Sequence, residues 1–201
     1  MRIEHQGKAP VVHDSAWVAP NAVLCGDVRI GAECRISFGA VINAGGGTVE
    51  IGGHGLVMEQ AVIRANPRHA TRLGDHVLVG PHAHLTGCTV EDYVFVATGA
   101  AIFNLAVLEE GAEVRIHGVV HVATRLPAGA VVPIGWVAVG DPAEILPPGE
   151  HDAIWAVQEG LDFPGKVFGL NRGPPEQMMP EMTRRYAAAL GRHRNDRLLD
   201  G

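Results

Sequence analysis

An aliphatic residue returns at every sixth position along most of this chain. Between Val90 and Val132 the series is unbroken: Val90, Val96, Ile102, Leu108, Val114, Val120, Leu126, Val132. An earlier series reads Val18, Leu24, Ile30, Ile36, Ile42, and it resumes as Ile51, Val57, Ile63 and as Leu73, Val79, Leu85. A period of six fits neither a helix nor a simple half-buried strand. It is the pattern of a solenoid in which three hexads make one triangular coil. Two positions before each aliphatic there is usually a small residue, such as Ala22, Cys34, Ala40, Ala83 or Ala100. Alternation along a strand turns both positions inward. The 47% hydrophobic and 5% aromatic content suits so narrow an interior. The expectation is an all-β parallel β-helix of about seven coils from about Val18 to about Val139, behind a short lead-in.

The beat breaks twice. Gly45-Gly46-Gly47 interrupts the step from Ile42 to Ile51, and Ala65–Arg72 lengthens the step from Ile63 to Leu73. Insertions in solenoids become loops on one face, often the working face. The pattern stops after Gly140-Asp141-Pro142-Ala143. Residues 1–146 therefore read as the β-helix domain, and 147–201 as a C-terminal α-helical extension packing on it or on a neighbouring subunit. One helix is expected over Glu150–Gln158, with Ile154, Val157 and Leu161 on one face. A Gly/Pro-rich link follows. A second helix is expected from about Pro180 to Leu190, capped by Gly191, with Met178, Met182, Tyr186 and Leu190 as its docking stripe.

A net charge of −6 and the lack of a dense basic block in the repeat argue against nucleic acid. The tail's arginines (Arg184, Arg185, Arg192, Arg194, Arg197) read as a solvated helix face. No stretch is long enough to span a bilayer, and the N-terminus lacks an apolar leader core. Cys25, Cys34 and Cys88 have no metal-type spacing and read as buried free thiols of a reducing compartment, so a cytoplasmic protein is expected.

The segments VLCGDVRIG, ISFGAVIN, VMEQAVIR, VLVGPHAHLTGC, VATGAAIFN and VAVGDPAEIL, within about residues 10–146, resemble the γ-class carbonic anhydrase-like family. That resemblance implies a left-handed β-helix and a homotrimer, with a catalytic zinc held by three histidines at the subunit interface. At the family's ligand positions this chain carries Arg64, Pro81 and Thr86. Asn43-Ala44-Gly45 stands where the family has Arg-Gly-Asp. Pro has no donor atom, Arg is permanently cationic, and a Thr hydroxyl is a poor zinc ligand. The expectation is that the family zinc site is lost and that no cofactor is required.

What replaces it has chemistry of its own. The repeat places Arg64 and Thr86 side by side on one wall. Arg64 would bind a carboxylate or phosphate through its planar fork, or pair with a neighbour's carboxylate. His82 and His84 are expected to point outward from one strand as general-base candidates, with Glu59 as a further base or orienting group. With His69 they form an alternative, displaced metal trio. Gln60, Thr86, Asn104 and Asn43 complete the candidate substrate contacts. His117 and His121 read as remote surface or turn residues. Three functions remain open: a repurposed inter-subunit cleft for a small anionic metabolite, a CoA-dependent acyltransferase taking acyl-CoA, and a catalytically silent scaffold trimer.

Overall fold

Inward-facing aliphatics stack from coil to coil and build three walls. A computed structural model describes residues 1–199. On the first wall Leu24, Ile42, Ile63, Leu85, Ile102 and Val120 lie in one fully buried file. Strands pair in parallel with the coil before and after, so each wall is a parallel sheet. The first wall has eight parallel levels and the other two have seven each. The interior is closed by the small-residue file, including Cys34 and Cys88, so both thiols are core atoms.

The expected lead-in is part of the solenoid. Arg2–Glu4 adds the eighth level to the first wall, and Val11–Val12 starts the second. Val12 is in phase with Val18, but Pro10 stands where the repeat wants its small inward residue, which hides the hexad. At the corners the backbone turns with positive φ, and not only at glycine: Gln60 (57°) and His82 (56°) adopt it too.

The outer faces differ. The second wall carries a ladder of Arg29, Glu50 and Arg72, joined at 3.1 and 3.2 Å. The third carries apolar side chains that this single chain leaves exposed, among them Trp17, Phe95 and Val131. The corner between the first and second walls carries both insertions. Asn66 and His69 close a tight loop through reciprocal backbone hydrogen bonds of 3.0 and 3.1 Å. Gly45–Gly47 lies directly against it, and a Cβ on Gly47 would fall on the Asn66 carbonyl oxygen. Glycine is required there by close approach.

Beyond the hairpin of Val137–Val139 with Glu144–Leu146, helix α1 spans His151–Gly160 and buries Ile154. The Gly/Pro-rich link contains a π-helical turn, Pro164–Phe168. Helix α2 spans Pro175–Gly191, five residues earlier than the sequence suggested. Pro175 takes the first-turn position, and Pro180 sits inside the helix at the cost of one backbone hydrogen bond. The chain then returns. Arg192–Asn195 forms a short 3₁₀ turn, and Arg197–Leu199 pairs antiparallel with Arg2–Glu4. The basic tail is therefore not one solvated helix face: Arg184 and Arg185 pair with Glu181 on α2, whereas Arg197 pairs with Glu4. Among the described residues no helix is long and apolar enough to cross a membrane.

Candidate functional site

The outward residue after each core aliphatic of the first wall forms a straight file: Cys25, Asn43, Arg64, Thr86. Adjacent strands lie about 4.8 Å apart, so Arg64 and Thr86 are direct neighbours, as the repeat implied. Phe103 and His121 continue the file one residue past Ile102 and Val120. His121 is therefore on the same wall rather than remote. Its Nδ1 is buried without a partner, it packs 6.2 Å from Phe103, and burial lowers its pKa.

The tail crosses this wall without filling it. A cavity of about 370 Å³ remains between the wall, the Asn66–Arg68 loop and the tail. Asn43, Arg64, His84, Thr86 and Asn104 line one side. Phe163, Phe168, Tyr186 and Leu190 line the other. Tyr186 and Leu190 belong to the expected docking stripe, yet they stay 41% and 48% exposed because the space before them is open.

The charge of the cavity is one-sided. Arg64, Arg68, Arg185 and Arg192 all reach it, and among the described residues no carboxylate lines it. Arg185 is engaged by Glu181 at 2.6 Å and donates to the Gly169 carbonyl at 3.1 Å. Arg64 forms no ion pair among the described residues. Its backbone is held firmly: the buried Thr71 hydroxyl donates to the Arg64 carbonyl and accepts the Gly87 N–H at 2.8 Å. Burial, reinforced by the Arg64 charge, lowers the His84 pKa. His69 is lowered by burial and by Arg68, and its Nδ1 accepts from the Asn104 amide at 3.4 Å. The Asn43 side chain is spent locally, accepting the Gly45 N–H at 2.8 Å.

The remaining candidates stand elsewhere. Glu59, Gln60, Pro81 and His82 occupy the corner that precedes the first wall, with Glu59 accepting a hydrogen bond from Ser37. Glu59 and Arg64 stand on opposite sides of the left-handed corner at Gln60, and within one chain Glu59, Gln60 and His82 do not line the cavity. His82 is not on the strand with His84. Its left-handed corner conformation overrides the alternation that would have aligned the two rings. His69, His82 and His84 accordingly do not gather around one point. Among the described residues a single group of three or more His, Cys, Asp or Glu donors comes within reach of one ion: His5, Cys25, His193 and Asp196. Residue spacing gave no sign of it, because its members come from opposite ends of the chain. Burial and the Asp196 carboxylate push the Cys25 thiol up to about 12.

Known proteins bear on this geometry. A family model described as bacterial transferase hexapeptide (six repeats) matches residues 9–44. Gamma carbonic anhydrase 1, mitochondrial, of Arabidopsis thaliana is 35% identical over 145 residues, covering 69% of this chain and 50% of that protein. Gamma carbonic anhydrase 2, mitochondrial, of the same plant is 32% identical over the same shares. The chain thus spans about half the length of these curated relatives. A hexapeptide transferase family protein from Anaplasma phagocytophilum superposes with a TM-score of 0.53 at 22% identity, covering 94% of this chain and 95% of that one, which speaks to the fold. The coils, their hexad core and the sequence match to the plant enzymes agree: this is a hexapeptide-repeat β-helix protein related to the γ-carbonic anhydrases.

Proposed function

We propose that the cavity between the first wall and the tail binds a small anionic metabolite, and that the zinc chemistry of the relatives has no seat in it. The observation that carries this reading is a cavity lined, among the described residues, by four arginines and no carboxylate, in a chain whose net charge is −6. The positions that correspond to zinc ligands do not fit a metal. Arg64 repels a cation, Pro81 offers no donor and lies at the corner outside the cavity, and Thr86 is a weak ligand. No metal-assisted hydration step is derived for them.

Arg64 is the anchoring cation, rigid on its strand and without a counter-charge among the described residues. A planar guanidinium meets a carboxylate or phosphate with two parallel hydrogen bonds. Thr86, beside it, adds a hydroxyl, and once an anion fills the open space the apolar tail residues opposite shed water from around the pair, which strengthens it. His84 is a depressed imidazole near the same charge, suited to accept a proton once an anion has arrived. His82, Glu59 and Gln60 join the site only across a subunit boundary, in a homotrimer. The apolar side chains exposed on the third wall support such an assembly. Three buried free thiols suit a reducing compartment, and we assign the cytoplasm.

A thermal-shift panel of inorganic phosphate, acetate, succinate and acetyl-CoA tests the reading. A ligand at 100 times its Kd stabilises by about 2.7 kcal/mol, or about 5–10 °C for a chain of this size. Phosphate or a carboxylate is expected to raise Tm in the wild type and to do little for Arg64→Ala. A response to acetyl-CoA alone would move the assignment to acyl transfer. No response to any anion, or an equal response in the variant, would remove it.

A further inference from the structure

The two ends of the chain meet in an antiparallel strand pair: Arg2 with Leu199, Ile3 with Leu198, Glu4 with Arg197. That pairing carries His5 against the turn holding His193 and Asp196. Ile3 is also in register with Cys25 on the next coil. Four side chains of different chemistry therefore converge. One ligand atom from each lies within 4.8 Å of all the others. Nδ1 of His5 is 2.6 Å from one Asp196 oxygen, Nδ1 of His193 is 2.7 Å from the other, and the Cys25 sulfur is 3.7 Å from that second oxygen. The two imidazoles are stacked at 4.2 Å. His5 and Cys25 are buried at 2% and 4% exposure.

We propose that His5, Cys25, His193 and Asp196 form a divalent-cation site, of the type that takes zinc, which fastens the C-terminal tail to the first coils. Two imidazole nitrogens, one sulfur and one carboxylate oxygen are a zinc donor set. Bond lengths of about 2.0–2.3 Å place tetrahedral donors roughly 3.3–3.8 Å apart. The observed separations of 2.6, 2.7 and 3.7 Å need only small side-chain shifts to reach that geometry.

Charge points the same way. A thiolate and a carboxylate carry two negative charges, which one divalent cation cancels, leaving a neutral centre where water is largely excluded. Binding releases the thiol proton to solvent. The Gln6 amide lies 2.7 Å from Nε2 of His5, and turned so that its oxygen faces the ring it accepts the Nε2–H that remains when Nδ1 holds the ion. A simple His–Asp–His hydrogen-bonded clasp would use three of the four groups. It gives no reason to seat a buried thiol against the same carboxylate. The site is also distinct from the wall position of Arg64 and Thr86. Cys25 lies two strands from Arg64, roughly 10 Å away. Four protein donors leave no open position, so the ion would fix structure rather than act on a substrate. His5 and His193 edge the cavity, so the ion would hold the tail in place above it.

The test uses the full chain, loaded with zinc chloride, desalted and assayed for metal by atomic emission, with cobalt(II) as a spectroscopic substitute. About one zinc per chain is expected, together with a sulfur-to-cobalt charge-transfer band and tetrahedral ligand-field bands. Cys25→Ser/His193→Ala should abolish both, and His69→Ala/His84→Ala should retain both. His193→Ala alone, at a partly exposed position, serves if the double variant fails to fold. The proposal is overturned if the wild type holds less than about half an equivalent, if cobalt shows no sulfur band, if the site variants keep the metal, or if the wall variant loses it.

Discussion

Replacing Ile63 by alanine probes the packing that holds Arg64 in place. Ile63 is fully buried between Ile42 and Leu85, and its strand is pinned to the coils on both sides. The Val62 N–H donates to Ala83 at 2.8 Å, and the Val41 N–H donates to Ala61 at 2.9 Å. The substitution deletes three carbons, about 2.4 kcal/mol at ~0.8 kcal/mol each. A cavity term adds to this, because two continuous hydrogen-bond ladders keep the coils from closing over the void. The cost is therefore expected near 4 kcal/mol, in the upper half of the ~2–5 kcal/mol range for such truncations. Urea unfolding followed by tryptophan fluorescence reads it as a lower midpoint. Hydrogen exchange on the amides of Val41–Asn43, Val62–Arg64 and His84–Thr86 shows where the loss falls. Phosphate affinity should weaken too, by less than in Arg64→Ala, because Thr71 still holds the Arg64 carbonyl. Val11→Thr, exposed on the second wall, is the control and should stay within about 0.5 kcal/mol. A cost for Ile63→Ala below about 1 kcal/mol would show that the coil core is not packed as described.

Three other expectations can be checked readily. Gly47→Ala should lower Tm and weaken hydrogen-exchange protection at Asn66 and His69, since the added Cβ meets the Asn66 carbonyl; unchanged protection would contradict the stacked-loop geometry. The Ser37 hydroxyl holds the Glu59 carboxyl below its usual range, so Ser37→Ala should bring its NMR titration back up. The sign follows from linkage: a depressed carboxylate adds stability above the unfolded pKa, and that increment is lost as pH falls through the folded value, so the variant should show less acid-side loss. Glu181→Ala frees Arg185 and should tighten phosphate binding; weaker binding would mean that the cavity does not act through its cations.

The coils were legible because each hexad repeats a local demand: a large aliphatic inward, a small residue two positions earlier, a turn at the corner. The same ruler placed Arg64 beside Thr86. It failed where a residue broke its own rule. Pro10 concealed the hexad of Val12, and the left-handed corner at His82 undid an alternation that otherwise holds along strands. Pro180 looked like a helix start, although Pro175 already served there. The cavity was only half visible. Its wall residues follow the repeat, but Arg68, Arg185 and Arg192 arrive through a loop and a tail whose docking no periodicity specifies. The four donors around Asp196 were not visible at all, since a strand pair between the two termini has no local signature.

The central claim is that an anion enters beside Arg64, and His84 is the nearest reporter of charge there. Burial and the Arg64 guanidinium hold its pKa below the ordinary imidazole value. An anion neutralising Arg64 must raise it. NMR titration of the His84 ring with and without inorganic phosphate is therefore the decisive measurement. The account predicts an upward shift with phosphate in the wild type, and in Arg64→Ala a pKa already raised and insensitive to phosphate. A wild-type His84 pKa that phosphate leaves unchanged, at concentrations that raise Tm, would place the anion elsewhere and contradict it.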